Sequence, residues 1–153
     1  MKIAILSDTH GLLRPEVLAQ LEGADAILHA GDIDTPAVAD CLQDYAPLYA
    51  VRGNNDWRSW ADPIPRSRRV SLAGLNFFLV HNRRDVPPYL DDMDVVVYGH
   101  THRYACAGEN GVLWLNPGSC GPRRFGHELT LAIMQAENGS FQVEKILLTP
   151  GDL

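Results

Sequence analysis

The sequence predicts an α/β protein in which two stacked mixed β-sheets are flanked by helices. Three observations carry that reading. Residues 2–52 alternate apolar runs with helical spacing in the order β-α-β-α-β, which favours parallel strand pairing. From residue 69 onward the apolar runs follow one another directly, broken at Gly74, Asn110-Gly111 and Asn138-Gly139, and Asn-Gly is a strong hairpin turn. No Gly-x-Gly-x-x-Gly follows the first run, which argues against a single dinucleotide-binding sheet.

Each element has a local cause. Residues 2–7 form a short apolar run, read as a buried strand. Residues 14–21 read as a helix, with Pro15 suited to its first turn and Val17, Leu18 and Leu21 on one face. Residues 26–30 make the second strand. Thr35-Pro36 has the form of an N-cap followed by proline, opening a helix to Leu42. Residues 47–52 make the third strand. Residues 69–73 and 75–81 read as a hairpin, and 94–98 as a short continuous strand. Residues 104–107 with 112–116, and 128–136 with 141–148, read as two further hairpins. The strands are therefore expected to be parallel first and largely antiparallel later.

A length of 153 residues predicts one domain over 1–153. With 46% apolar and 21% charged residues, disordered and fibrous classes are excluded. Three cysteines without CxxC spacing (Cys41, Cys106, Cys120) argue against a disulfide framework or a four-cysteine zinc site. The first apolar run, Ile3 to Leu6, is too short for a signal peptide or a membrane span, so a soluble, cytoplasmic protein with no membrane partner is expected. The net charge of −6 disfavours a long nucleic-acid footprint.

The informative residues stand where the apolar runs stop. These are Ser7-Asp8-Thr9-His10, His29-Ala30-Gly31-Asp32, Arg52-Gly53-Asn54-Asn55-Asp56, His81-Asn82, Gly99-His100-Thr101-His102 and Asn116-Pro117-Gly118-Ser119. Ligands of open α/β sheets gather at the carboxyl ends of strands. Any one cluster is an ordinary turn or a hydrogen-bonded histidine. Together they supply carboxylate, imidazole and amide groups with no thiolate, a set that suits divalent Mn, Fe, Zn, Ni or Co. In an extended segment the members of Asp8-x-His10 and of His100-x-His102 face one side.

In this order, Asp8-x-His10, Gly31-Asp32, Gly53-Asn54-Asn55-Asp56, His81 and Gly99-His100-Thr101-His102 resemble the metallophosphoesterase (calcineurin-like phosphoesterase) superfamily. The Arg52-Gly53-Asn54 context and Asn116-Pro117-Gly118-Ser119 resemble its small bacterial and archaeal phosphodiesterase branch. The resemblance spans roughly Met1 to Ser119. It implies a four-layer αββα fold and two divalent metal ions, Mn first among the candidates. Asp8, His10 and His102 would hold one ion, Asn54, His81 and His100 the other, and Asp32 would bridge them. It further implies hydrolysis of a small phosphate ester, most simply a diester, by a metal-bridging hydroxide, and a homo-oligomer like other small members.

Asn54, Asn55 and His81 are the candidate catalytic positions, and Asn55 and Arg83 the candidate substrate contacts. Asn55 stands where many members carry a histidine thought to assist the leaving group. An amide donates a hydrogen bond but not a proton, so turnover is expected to fall as the leaving group's pKa rises. Asp56 is read as orienting a ligand such as His10, or as a loop cap. His29 is read as supporting a ligand, or as a buried ring bonded to backbone. Arg66, Arg68 and Arg69 read as a solvated face. The alternative function is a non-catalytic metal-binding scaffold, since a retromer subunit of the same fold serves as a protein-binding platform.

Overall fold

The computed structural model describes residues 1–123 and 126–149; Arg124, of the Arg123-Arg124 pair, lies outside the described residues. The first half runs β1 (Lys2–Leu6), α1 (Pro15–Gln20), β2 (Ala26–His29), α2 (Pro36–Gln43) and β3 (Leu48–Ala50). The second half runs β4 (Ser67–Leu72), β5 (Leu75–Val80), β6 (Val95–Val97), β7 (Tyr104–Glu109), β8 (Val112–Pro117), β9 (Thr130–Glu137) and β10 (Ser140–Leu147). Pro15 and Pro36 open the two helices as expected, although the Thr35 side chain makes no capping bond.

Two mixed five-stranded sheets result, ordered β10-β9-β1-β2-β3 and β4-β5-β6-β8-β7. In the first, β1, β2 and β3 are parallel and β9 and β10 antiparallel. The second corrects the expectation of a largely antiparallel half. There β5, β6 and β8 are parallel, and only β4 and β7 run against their neighbours. The three expected hairpins do form, as β4–β5, β7–β8 and β9–β10, but β7 lies at the sheet edge beyond β8, so β6 and β8 are adjacent and joined by a crossover. As a result the carboxyl ends of six parallel strands share one rim.

The sheets pack through Ile3, Ile5, Leu28, Phe77, Leu79 and Val97. On the outer face of the first sheet, Ala4, Leu6 and Ile27 meet Val17 of α1 and Val38 and Leu42 of α2. Alternate residues of β1 thus go to opposite cores, which explains why the strand is apolar throughout. The outer face of the second sheet, Phe78, Val80 and Val96, is covered by Val86, Leu90 and Met93 from the segment after β5. No helix among the described residues is long and apolar enough to cross a membrane.

Candidate metal centre

The backbone ladder of the first sheet continues past its strands. Asp8 N–H donates to Gly31 O (3.0 Å) and His10 N–H to Asp32 O (2.9 Å). Gly99 N–H donates to His81 O (2.9 Å), which extends the second sheet to the same rim. Here Asp8, His10, Asp32, Asp34, His100 and His102 all take φ between 46° and 76°, a left-handed region that non-glycine residues seldom enter. Strand alternation is therefore not what brings Asp8 to His10 or His100 to His102. Both pairs lie beyond their strands and converge through left-handed turns. Two glycines permit the close approach. A Cβ on Gly53 would collide with the Asp32 carboxylate, and one on Gly99 with Ser7 Oγ and the Asp8 carboxylate.

Asp8 is fully buried. Its Oδ2 accepts from the Ser7 hydroxyl (2.7 Å) and from His100 N–H (3.1 Å). Its Oδ1 has no hydrogen-bond partner and faces three imidazole Nε2 atoms, of His102 at 3.4 Å, His10 at 3.6 Å and His81 at 3.8 Å. Asp32 follows the same plan. Its Oδ1 accepts from Asn55 N–H (2.9 Å), and its Oδ2 lies 3.2 Å from His81 Nε2 and 3.7 Å from His10 Nε2.

The rings are held from behind. His81 Nδ1–H donates to Ala30 O (2.8 Å), which leaves Nε2 a lone pair turned to the carboxylates, without a hydrogen-bond partner. His10 Nδ1 lies 3.1 Å from the Asp34 carboxylate, and its Nε2 lies 3.2 Å from His102 Nε2. Two imidazole nitrogens bound tetrahedrally to one ion stand about 3.3 Å apart, so this spacing suits a shared cation. The ligand atoms form two groups, Asp8–His10–His102 and Asp8–Asp32–His81, each within 4.8 Å. Orphaned carboxylate and imidazole lone pairs facing one another fit divalent first-row ions.

Electrostatics agree with that fit. Burial opposes ionisation of Asp8, yet the His10 and His102 rings beside it hold its carboxyl far below the usual range. Asp32, also opposed by burial, is lowered by His81. Burial disfavours charge on His10 and His81. The carboxylates of Asp8 and Asp34 around His10, and of Asp32 around His81, outweigh it and raise both rings above the ordinary value. Protons and a cation compete for the same atoms.

Asn54 and His100 meet at the outer rim, with the Asn54 amide 3.4 Å from His100 Nδ1 and the His100 ring edge-on to His81 at 5.3 Å. The Asn55 amide lies 3.4 Å from His10 Nδ1. A cavity of about 300 Å³ opens over the cluster, lined among others by His10, Asp32, Asn54, Asn55, His102 and His127. His127 was not foreseen, because a single histidine ahead of a strand carries no spacing signal.

Residues 1–139 match the family model described as the calcineurin-like phosphoesterase superfamily domain. The chain belongs to that superfamily. It is 33% identical over 135 residues to a probable metallophosphoesterase of Methanothermobacter thermautotrophicus, covering 78% of this chain and 77% of that one. It is 30% identical over 163 residues to phosphodiesterase YfcE of Escherichia coli K12, covering 88% and 87%. Vps29 of Entamoeba histolytica, solved in complex with zinc, superposes with a TM-score of 0.75 over 96% of this chain and 99% of its own, at 20% identity. That last likeness shows the fold alone. As a member of the superfamily, the chain is a metal-dependent phosphoester hydrolase.

Three neighbours of the centre in this phosphoesterase differ from, or narrow, the sequence reading. Among the described residues, the Asp56 carboxylate makes no hydrogen bond or ion pair with a histidine ring. It accepts the N–H groups of Asp32 (2.9 Å), Ile33 (3.0 Å), Asp34 (2.8 Å) and Gly53 (3.0 Å), so it caps the loop that carries Asp32. The carboxylate behind His10 is Asp34 instead. His29 accepts from Gly31 N–H at Nδ1 and so donates from Nε2 to Thr9 Oγ1, both at 3.0 Å. Burial pushes its pKa down to about 4, and the neutral ring ties the first loop to the second. Arg83 is corrected as a substrate contact. Its guanidinium lies over Trp114, 4.3 Å from the ring centroid, and bonds Glu109 at 3.0 Å, on the outer side of the second sheet. The stacking and the ion pair hold it there.

Proposed function

We propose that this phosphoesterase is a phosphodiesterase that uses two divalent ions to cleave small phosphate esters. The supporting observation is the meeting of Asp8 Oδ1, Asp32 Oδ2 and three imidazole Nε2 atoms within 3.2–3.8 Å. In this reading Asp8, His10 and His102 hold one ion, Asn54, His81 and His100 the other, and Asp32 serves both. When bound, such ions make a nucleophile from water at neutral pH and offset charge on the phosphoryl oxygens.

The chain's own residues supply position. Ser7 and the His100 N–H fix Asp8, the Asn55 N–H fixes Asp32, and Ala30 O fixes His81. The Asn55 side chain, at the mouth of the cavity, donates a hydrogen bond to a substrate oxygen. It transfers no proton, so esters with good leaving groups are the favoured substrates. Manganese is the first choice of ion and the cytoplasm the expected compartment.

The test is hydrolysis of bis-p-nitrophenyl phosphate by metal-stripped protein, with Mn, Ni, Co, Zn and Mg restored singly. Activity should return with metal, and Asp32→Ala should lower kcat/KM by about 10³-fold or more. Two ions bound per chain with no cleavage by any metal would sink the proposal. That result would favour the second reading, a metal-binding scaffold, which draws on Asn55 and on the fold shared with Vps29.

A further inference from the structure

Beside the metal-type cluster, the loop after β3 and the segment entering β4 form a second cleft. Arg52 N–H donates to Pro65 O at 2.8 Å, which sets Arg52 and Arg66 side by side on neighbouring segments. Both side chains line a cavity of about 310 Å³ that also includes Asn54 and His81 of the cluster, with Asn82 and Asp85. A smaller cavity of about 150 Å³ shares the two arginines and Asn54 and adds Trp57.

Among the described residues, neither arginine has an acid partner, and the arginine that forms an ion pair is Arg83, with Glu109. Arg52 Nε is buried and has no hydrogen-bond partner, and Asp85 forms no ion pair with Arg52 or Arg66. A buried guanidinium N–H without an acceptor is unfavourable. So is the nearness of two like charges. One oxyanion between them relieves both, because guanidinium groups grip carboxylate and phosphate through paired N–H donors. In the larger cavity two cations face the single Asp85 carboxylate; the Asp56 carboxylate, which lines the smaller one, is already taken up by the N–H groups of Asp32, Ile33, Asp34 and Gly53.

We propose that this cleft is a second anion subsite, and that the substrate is a phosphodiester carrying a further carboxylate or phosphate. Arg52 and Arg66 hold that group while the scissile phosphate lies at the cluster. The substrate assignment rests on the phosphodiesterase reading above; the anion grip stands on the two arginines. The side chain of Arg66 is exposed, so its removal leaves the core intact.

Two measurements decide the matter. Inorganic phosphate is titrated into metal-free, isotope-labelled protein while the arginine Nε–H and backbone amide resonances are followed. Saturable shifts at Arg52, Arg66 and Gly53 are expected, weakened about tenfold or more by Arg66→Gln and by Arg52→Gln, and unchanged by Arg69→Gln on β4. Unsaturable shifts spread over all the arginines would overturn the subsite. In the metal-loaded enzyme, p-nitrophenyl 3-carboxypropyl phosphate is compared with its neutral amide. The carboxylate should have a kcat/KM about tenfold higher, and Arg66→Gln should bring the ratio near one. Equal rates for both esters would overturn the substrate assignment while leaving the hydrolase intact. If neither ester is cleaved, the phosphodiesterase reading fails, and the phosphate titration still rules on the subsite.

Discussion

The two ends of the sandwich obey different rules. At the end away from the centre the chain reverses through Ala73-Gly74, Asn110-Gly111 and Asn138-Gly139, with φ of 51–52° followed by 78–84°. These are type I′ hairpin turns, and two of the three use the Asn-Gly pair that tolerates them best. At the other end the left-handed positions include, besides Gly11, Gly31 and Gly118, the aspartates Asp8, Asp32 and Asp34 and the histidines His10, His100 and His102, each of these six at a cost of about 1–2 kcal/mol. Those residues persist because their surroundings fix them. Four N–H groups converge on Asp56, and the buried His29 joins the first two loops. One end minimises backbone strain; the other holds strain so that carboxylates and rings share a small space.

The comparison can be broken in several ways, taken here from the largest expected effect down. Gly53→Ala places a methyl group against the Asp32 carboxylate. It should cost about 3 kcal/mol in a denaturant titration and weaken metal binding at least about tenfold by calorimetry. Unchanged binding would show that the tight approach is incidental.

His29 gives a pH signature. Its folded pKa of about 4 lies below the unfolded value of 6.5, so the unfolded chain takes up the proton first on acidification. Its contribution is complete above pH 6.5 and is lost as the pH falls toward 4, by about 3 kcal/mol in all. Thermal midpoints of the metal-free protein should drop across that window, and His29→Gln should lack this component. Identical profiles for the two proteins would count against a neutral, loop-tying His29.

Asp56→Asn replaces one accepting oxygen with a donor and should cost about 2 kcal/mol. Because Asp56 bonds backbone N–H groups and not the ligand rings, metal affinity should fall less than in Gly53→Ala. At the opposite end Gly111 has φ +79 with nothing near its would-be Cβ. Gly111→Ala should therefore cost about 1 kcal/mol and leave metal binding and hydrolysis unaltered. An effect on activity there would erase the distinction between the two ends.

Much of this protein was legible in its sequence. Local pattern marked the strands, and the two helix starts were visible at Pro15 and Pro36. The residues of the centre were legible because ligand-type side chains stood at the ends of consecutive apolar runs. Asp34 escaped notice because one more aspartate after Asp32 looks like surface. Arg52 and Arg66 are fourteen positions apart, and no sequence pattern joins them. Arg83 misled for the opposite reason, since nearness in sequence to His81 does not place a long, flexible side chain. Sequence alone thus determined the elements and the donor types, because hydrophobic period and residue chemistry are local properties. Tertiary structure decided that β6 and β8 pair in parallel and that Asp8 and Asp32 each turn one oxygen inward. It also decided which carboxylate backs His10, and these outcomes rest on contacts between segments that only packing brings together.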